Sequence, residues 1–271
     1  MHVEETLPAG APRGTIVAVP GLGESAGALG ISAHLWAEDG WRVLAVDPRG
    51  HGQSPRWTPE LLQHNPGDVI VRDLVNTLEA TTLVPATPTI AFGHSAGGSS
   101  IAAVAAVRPD LFDVVVLEDP FWRLPVTHHQ DPDVAADAAA TLRRHQAMSD
   151  AERRAEISAI YPRWPADELP EWSKARERMD VALVAHGDVI PSMPWPAILE
   201  ELRRAEIPVQ IITGTVKTGN TEAHRAIERS LGARVDVLEG ATHFIRRDFR
   251  SAFHALIAGF LDDAMSATGR R

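Results

Sequence analysis

The chain has 271 residues, a formal net charge of −10 and 44% hydrophobic residues, enough for one large α/β domain with an insertion and no second independent core. The acidic balance argues against a general nucleic-acid binder, and the absence of cysteine excludes disulfides, a thiolate nucleophile and cysteine-based metal sites. Residues 1–14 lack an apolar core of signal-peptide length and no later apolar run could span a bilayer, so the expectation is a cytoplasmic protein without a membrane segment.

In chain order, only the short stretch around Val3–Leu7 precedes the first strong strand signal, Gly14–Val19, a continuous apolar run of the kind buried on both faces. After Pro20-Gly21-Leu22-Gly23-Glu24 a helical pattern runs to Asp39-Gly40, where glycine supplies the stop. Trp41–Val46 reads as the next strand, followed by Asp47-Pro48-Arg49-Gly50-His51-Gly52-Gln53-Ser54 and an amphipathic helix over Asp68–Leu78. Thr89–Phe92 is a strand entering Gly93-His94-Ser95-Ala96-Gly97, and an Ala-rich helical run occupies Ser99–Val107. Val114–Leu117 is another buried strand, closing at Glu118-Asp119-Pro120. This alternation, with right-handed crossovers, specifies a mostly parallel sheet flanked by helices.

The rhythm breaks over Phe121–Ile207, where helical patterns such as Val134–Met148 and Asp150–Ile160 stand between prolines and tryptophans. The sheet resumes at Val209–Ile212 and ends at Val235–Leu238, with a helix near Thr221–Leu231 between them. Ala241–Phe244 is a loop, and Phe249–Met265 closes the chain as an amphipathic helix. The expected organisation is therefore a core of residues 1–120 and 208–271, with residues 121–207 as a helical cap.

Gly93–Gly97 is the densest chemical signal. A strand-to-helix turn of the Gly-x-Ser-x-Gly pattern holds its serine in a strained conformation with Oγ above the sheet edge, and the glycines admit neighbouring backbone. The new helix directs its N-terminal N–H groups at the place where negative charge develops. Ser95 is thus the expected nucleophile.

Taken with Asp47–Ser54 and Gly240-Ala241-Thr242-His243, this elbow makes the chain resemble an α/β-hydrolase over nearly its whole length. The resemblance implies a general base at His243, in the loop after the last strand. His94 is expected to turn away from the nucleophile and pack at the border of the substrate site. Many relatives place the acid after the strand represented by Val209–Ile212; here that turn reads Gly214-Thr215-Val216-Lys217, and no acid follows until Glu222. The family's other location, the end of the preceding strand, puts the acid at Asp119, with Glu118 the neighbouring alternative. For the oxyanion the resemblance implies two backbone donors, Ala96 N–H and Leu22 N–H, with Gly21 the adjacent alternative to the second and a candidate substrate contact. Val19-Pro20-Gly21-Leu22-Gly23-Glu24 is similar, one residue shorter, to the corresponding loop of fungal zearalenone-type lactonases, and the acid-free Gly214-Thr215 turn is similar too.

Four of the seven tryptophans (Trp122, Trp164, Trp172, Trp195) lie in the cap. With Phe121 they are candidates to line a site for a bulky apolar substrate. His128-His129 with Asp131 and Asp133, and His186 with Asp188, lack a recurring metal spacing, and no metal or cofactor is expected. The pairs Arg143-Arg144, Arg153-Arg154 and Arg246-Arg247 read as solvated helix faces. The function implied is a cofactor-independent serine hydrolase cleaving an ester or lactone of a small molecule through an acyl-enzyme. A C–C bond hydrolase would use the same triad, and a non-catalytic receptor the same fold; a homodimer is left open.

Overall fold

The computed structural model describes residues 1–81 and 87–267. Its strands are β1 (His2–Thr6), β2 (Gly14–Val19), β3 (Trp41–Asp47), β4 (Thr89–His94), β5 (Val114–Glu118), β6 (Val209–Thr213) and β7 (Arg234–Val237). They form one seven-stranded sheet in the order β1-β3-β2-β4-β5-β6-β7, parallel except for β1, which runs antiparallel to β3. Every residue of β2, β4, β5 and β6 is buried, as continuous apolar runs require when helices cover both faces. Edge strand β1 has no such run and is only half-buried, which is why its sequence signal is poor.

The helices before the break are α1 (Gly30–Glu38), α2 (Pro66–Glu79) and α3 (Ser95–Val107). Between β5 and β6 lie α4 (Pro132–Ala147), α5 (Asp150–Ile160), α6 (Leu169–Arg178), α7 (Val181–His186) and α8 (Trp195–Arg204). Then come α9 (Glu222–Ser230), α10 (Ile245–Asp248) and α11 (Arg250–Ala267). On one face Trp36 of α1 and Phe253 and Ile257 of α11 bury Ile16, Val43 and Phe92. On the other, Leu74 of α2, Ile101 of α3 and Leu202 of α8 bury Val17, Ala91 and Leu117. Leu142 of α4 and Leu183 of α7 join this second cluster, so the helical block shares the sheet's core.

From β2 the chain winds outward to β3 and then returns to the far side of β2 as β4. That reversal opens a crevice at the carboxyl ends of β2 and β4. The loop after β2, the turn from β4 into α3 and the end of β5 all converge there.

Candidate active site

Strand β4 ends at His94 and α3 begins at the next residue, four residues earlier than the Ala-rich pattern indicates. The joint forces Ser95 to φ +54°, a left-handed conformation costing about 1–3 kcal/mol for a residue with a side chain. A Cβ on Gly97 would stand 2.2 Å from the Pro20 carbonyl oxygen, so glycine lets the loop after β2 lie directly on the first turn of α3. Leu22 is in that loop. Ala96 N–H, in the first turn, has no acceptor within its own helix. On the other side of the elbow, Phe121 N–H donates to the Ser95 carbonyl at 3.0 Å.

Asp119 is the first residue past β5, fully buried, and also left-handed at φ +37°. Its Oδ2 lies 2.5 Å from His243 Nδ1, while Thr213 Oγ1 donates to Oδ1 at 2.5 Å and Gly219 N–H to Oδ2 at 3.3 Å. A carboxylate facing Nδ1 keeps the proton there and leaves Nε2 as the nitrogen able to accept one. Among the described residues no protein group bonds to Ser95 Oγ or His243 Nε2.

Glu118 points to the opposite side, as adjacent strand residues do. It accepts from Arg246 N–H at 2.9 Å and from Arg246 Nη1 at 2.6 Å. It is therefore not a partner of His243. Lys217 is exposed, and Glu222 is exposed and paired with Arg225 and Arg229.

Residues 10–166 match the family described as Serine aminopeptidase, S33. The chain belongs to this family of α/β-hydrolases. Esterase YbfF of Escherichia coli (strain K12) is 28% identical over 277 aligned residues, covering 92% of this chain and 93% of that protein. Monoglyceride lipase of Mus musculus is 34% identical over 114 residues, 42% of this chain and 37% of the lipase. Among solved structures, E-2-(acetamidomethylene)succinate hydrolase superposes with a TM-score of 0.73 at 19% identity, covering 96% of this hydrolase and 94% of that chain. The enol-lactonase of Burkholderia xenovorans LB400 does so with 0.68 at 21% identity, covering 96% of each. These two likenesses establish the fold.

Other expected site residues of the hydrolase are deployed differently. His94 is buried, with Nδ1 2.6 Å from Glu24 Oε2 and Nε2 3.1 Å from the His243 carbonyl oxygen. It braces the histidine loop and does not face a substrate. Gly21 gives its N–H to Glu24 Oε2 at 3.1 Å and packs on the His94 ring, so neither its donor nor its surface is open. A cleft opens one turn along α3 from the elbow, at Ser99, walled by Phe121, Trp122, Val126, Met193 and Trp195; Ser95 itself is not part of its lining. Trp164 and Trp172 are not in the cleft. They form a separate cluster with Ile157, and Trp164 also stacks on Tyr161 and meets Phe244 edge-on. In the helical block His129 Nδ1 lies 3.0 Å from Asp188 Oδ2, and Asp188 N–H donates to His186 Nδ1 at 3.4 Å.

The arginine pairs contain the largest departure from the sequence reading. Arg246 and Arg247 are each 1% exposed, and Arg153 is buried against Ser173. Arg246 Nη2 reaches Glu24 Oε1 at 2.5 Å, and Arg247 joins Glu24 at 2.7 Å and Glu168 at 3.2 Å. Burial alone would raise the Glu24 carboxyl, but Arg246, Arg247 and His94 hold it well below the ordinary range, so it is ionised. One ion network thus ties the loop after β2, the end of β5, α10 and the start of α6. Two arginines three and four positions after His243, in a chain with an acid at Gly23-Glu24, were the available signal.

Proposed function

We propose that the chain hydrolyses an ester or lactone by an acyl-enzyme route. Ser95 Oγ attacks the carbonyl, His243 Nε2 takes its proton and later returns it to the leaving oxygen, and Asp119 holds His243 in the working tautomer. Leu22 N–H and Ala96 N–H hold the oxyanion, each such donor being worth about 3–4 kcal/mol of transition-state stabilisation. Water then releases the acid and regenerates Ser95. The observation that carries this reading is the pairing of buried Asp119 with the half-buried His243, whose Nε2 is unoccupied, beside a serine held at φ +54°. Catalytic hydrogen bonds are often long before substrate binds, so the free Ser95 Oγ is compatible with it.

Ester cleavage fits better than aminopeptidase action. A free α-amino group needs a carboxylate, yet Glu24, Glu118 and Asp119, the buried acids at these strand ends, are committed to arginine, histidine or threonine donors. The esterase and monoglyceride lipase relatives support the same choice. Residues 121–207 act as a cap, with α8 packed against α3 and so tied to the core. The cleft between Phe121, Trp122 and Trp195 receives an apolar part of the substrate. A fluorophosphonate probe should label Ser95, and Ser95→Ala should abolish both labelling and turnover of a model ester. Labelling that persists in Ser95→Ala overturns the reading.

A further inference from the structure

Arg176, on α6, lays its guanidinium on the loop after β2. A Cβ built on Gly23 would stand 2.2 Å from Arg176 Nη1, and Gly23 sits at φ +81°, so glycine both makes the turn and leaves the cation its space. The half-buried Arg176 uses Nε on His145 Nδ1 at 3.3 Å; among the described residues its two Nη groups make no hydrogen bond and it has no carboxylate partner. The nearby acids are taken. Glu24 is held by Arg246, Arg247 and His94, Glu171 by Lys174 at 2.6 Å, Glu177 faces Arg153 at 3.5 Å, and Glu156 pairs with Arg144 and His145. The other arginines of this flank, Arg153, Arg246, Arg247 and Arg250, all have an acid. Burial pushes the Arg176 guanidinium below its ordinary value, and the charge of Glu24 only partly offsets this.

An uncompensated guanidinium is costly unless something else supplies the anion. Gly23 is the neighbour of Leu22, whose N–H marks the carbonyl oxygen in the function proposed above, and adjacent Cα atoms are about 3.8 Å apart. We propose that Arg176 binds a free carboxylate on the acyl side of the substrate, about two or three carbons from the scissile carbonyl. The preferred esters are then half-esters of short dicarboxylic acids. The planar fork of arginine matches a carboxylate with two parallel hydrogen bonds, which a lysine could not reproduce.

This rests on Ser95 being the nucleophile, and the experiment separates the two. Full-length wild type, Arg176→Gln and Arg176→Lys are assayed by pH-stat on monomethyl glutarate and on its uncharged chain match, methyl valerate. Fluorophosphonate labelling is followed in parallel. The readout is the ratio of kcat/KM for the charged over the neutral ester, which cancels a loss of folded enzyme. Wild type should favour the charged ester by about tenfold to a hundredfold, the range of a hydrogen bond to a charged group. Arg176→Gln should bring the ratio to one or below, Arg176→Lys should keep part of it, and added salt should shrink it. A wild-type ratio near one, a ratio unchanged in Arg176→Gln, or a labelled enzyme that turns over neither ester overturns the role of Arg176. Absence of both labelling and 4-nitrophenyl acetate hydrolysis overturns the hydrolase reading instead.

Discussion

Trp122 and Trp195 stack at 5.6 Å with their rings 17° apart on the wall of the cleft, whereas Trp164 and Trp172 meet edge-on at 6.4 Å behind Phe244. The first pair faces open space, and Trp195 Nε1 is anchored on the Arg123 carbonyl at 3.1 Å. The second pair closes over charge: the Arg247 guanidinium lies 4.4 Å from the Trp164 ring centre. The division extends to everything around the elbow. On the Trp122 flank apolar side chains shape a volume, while on the Trp164 flank a buried ion network braces the loops that carry Leu22 and His243. The same residue type serves as wall or as brace according to whether its neighbours leave a void or a cation.

The divide is sharpest at the end of β5, where two adjacent carboxylates serve different ends. Asp119→Asn should lower kcat by about 10³–10⁴-fold with little change in melting temperature, because the amide no longer favours the working tautomer and the imidazolium of His243. Glu118→Gln should instead destabilise by about 3–5 kcal/mol, since it takes from the buried Arg246 one of its two carboxylates, while the folded enzyme stays within tenfold of wild-type turnover. Steady-state kinetics alongside urea unfolding measures both. Should Glu118→Gln cripple turnover in stable protein, the two flanks are not separable.

Next come the tryptophans. Trp164→Ala should cost about 3–5 kcal/mol of stability, with hydrolysis of a bulky ester and of a small acetate ester falling together. Trp195→Ala should lower the ratio of bulky to acetate ester turnover by about tenfold or more, because it reshapes a wall. Melting temperature and both activities, taken on the same preparations, decide between wall and brace. If the two variants behave alike, the comparison fails.

The smallest effect concerns Glu228, on α9. Asn220 Nδ2 donates to its Oε1 at 2.7 Å, its Oε2 has no partner among the described residues, and burial pushes its carboxyl up to about 7. Below its ordinary value of 4.5 the group is protonated in the folded and unfolded chain alike. Between there and about 7 the folded chain keeps a proton that the unfolded chain has lost, so stability falls as pH rises and levels off above that window. Glu228→Gln should flatten this slope, gaining on wild type by about 1–3 kcal/mol at pH 8 and by nothing near pH 4. Urea unfolding at several pH values tests it; parallel slopes for the two proteins would contradict the assignment.

The sequence by itself determined what is written within one or two neighbouring elements. Strand and helix periodicity marked the core strands, Gly93–Gly97 marked a turn whose strain follows from local sterics, and the loop after the last strand marked His243. Proline misled the local reading within the helical block: Pro170 and Pro196 sit in the first turns of α6 and α8, where proline starts a helix and only resembles a break. Tertiary structure decided which acid faces His243, because Glu118 and Asp119 differ only in the side of β5 they leave. It also decided that Arg246 is buried, since the carboxylate that makes this affordable, Glu24, is 222 positions away. No window of sequence contains both charges, and an arginine without its distant acid is indistinguishable from a solvated one. Trp122 and Trp195 are a wall for the same reason: the cleft that they line exists only once α8 has docked on α3.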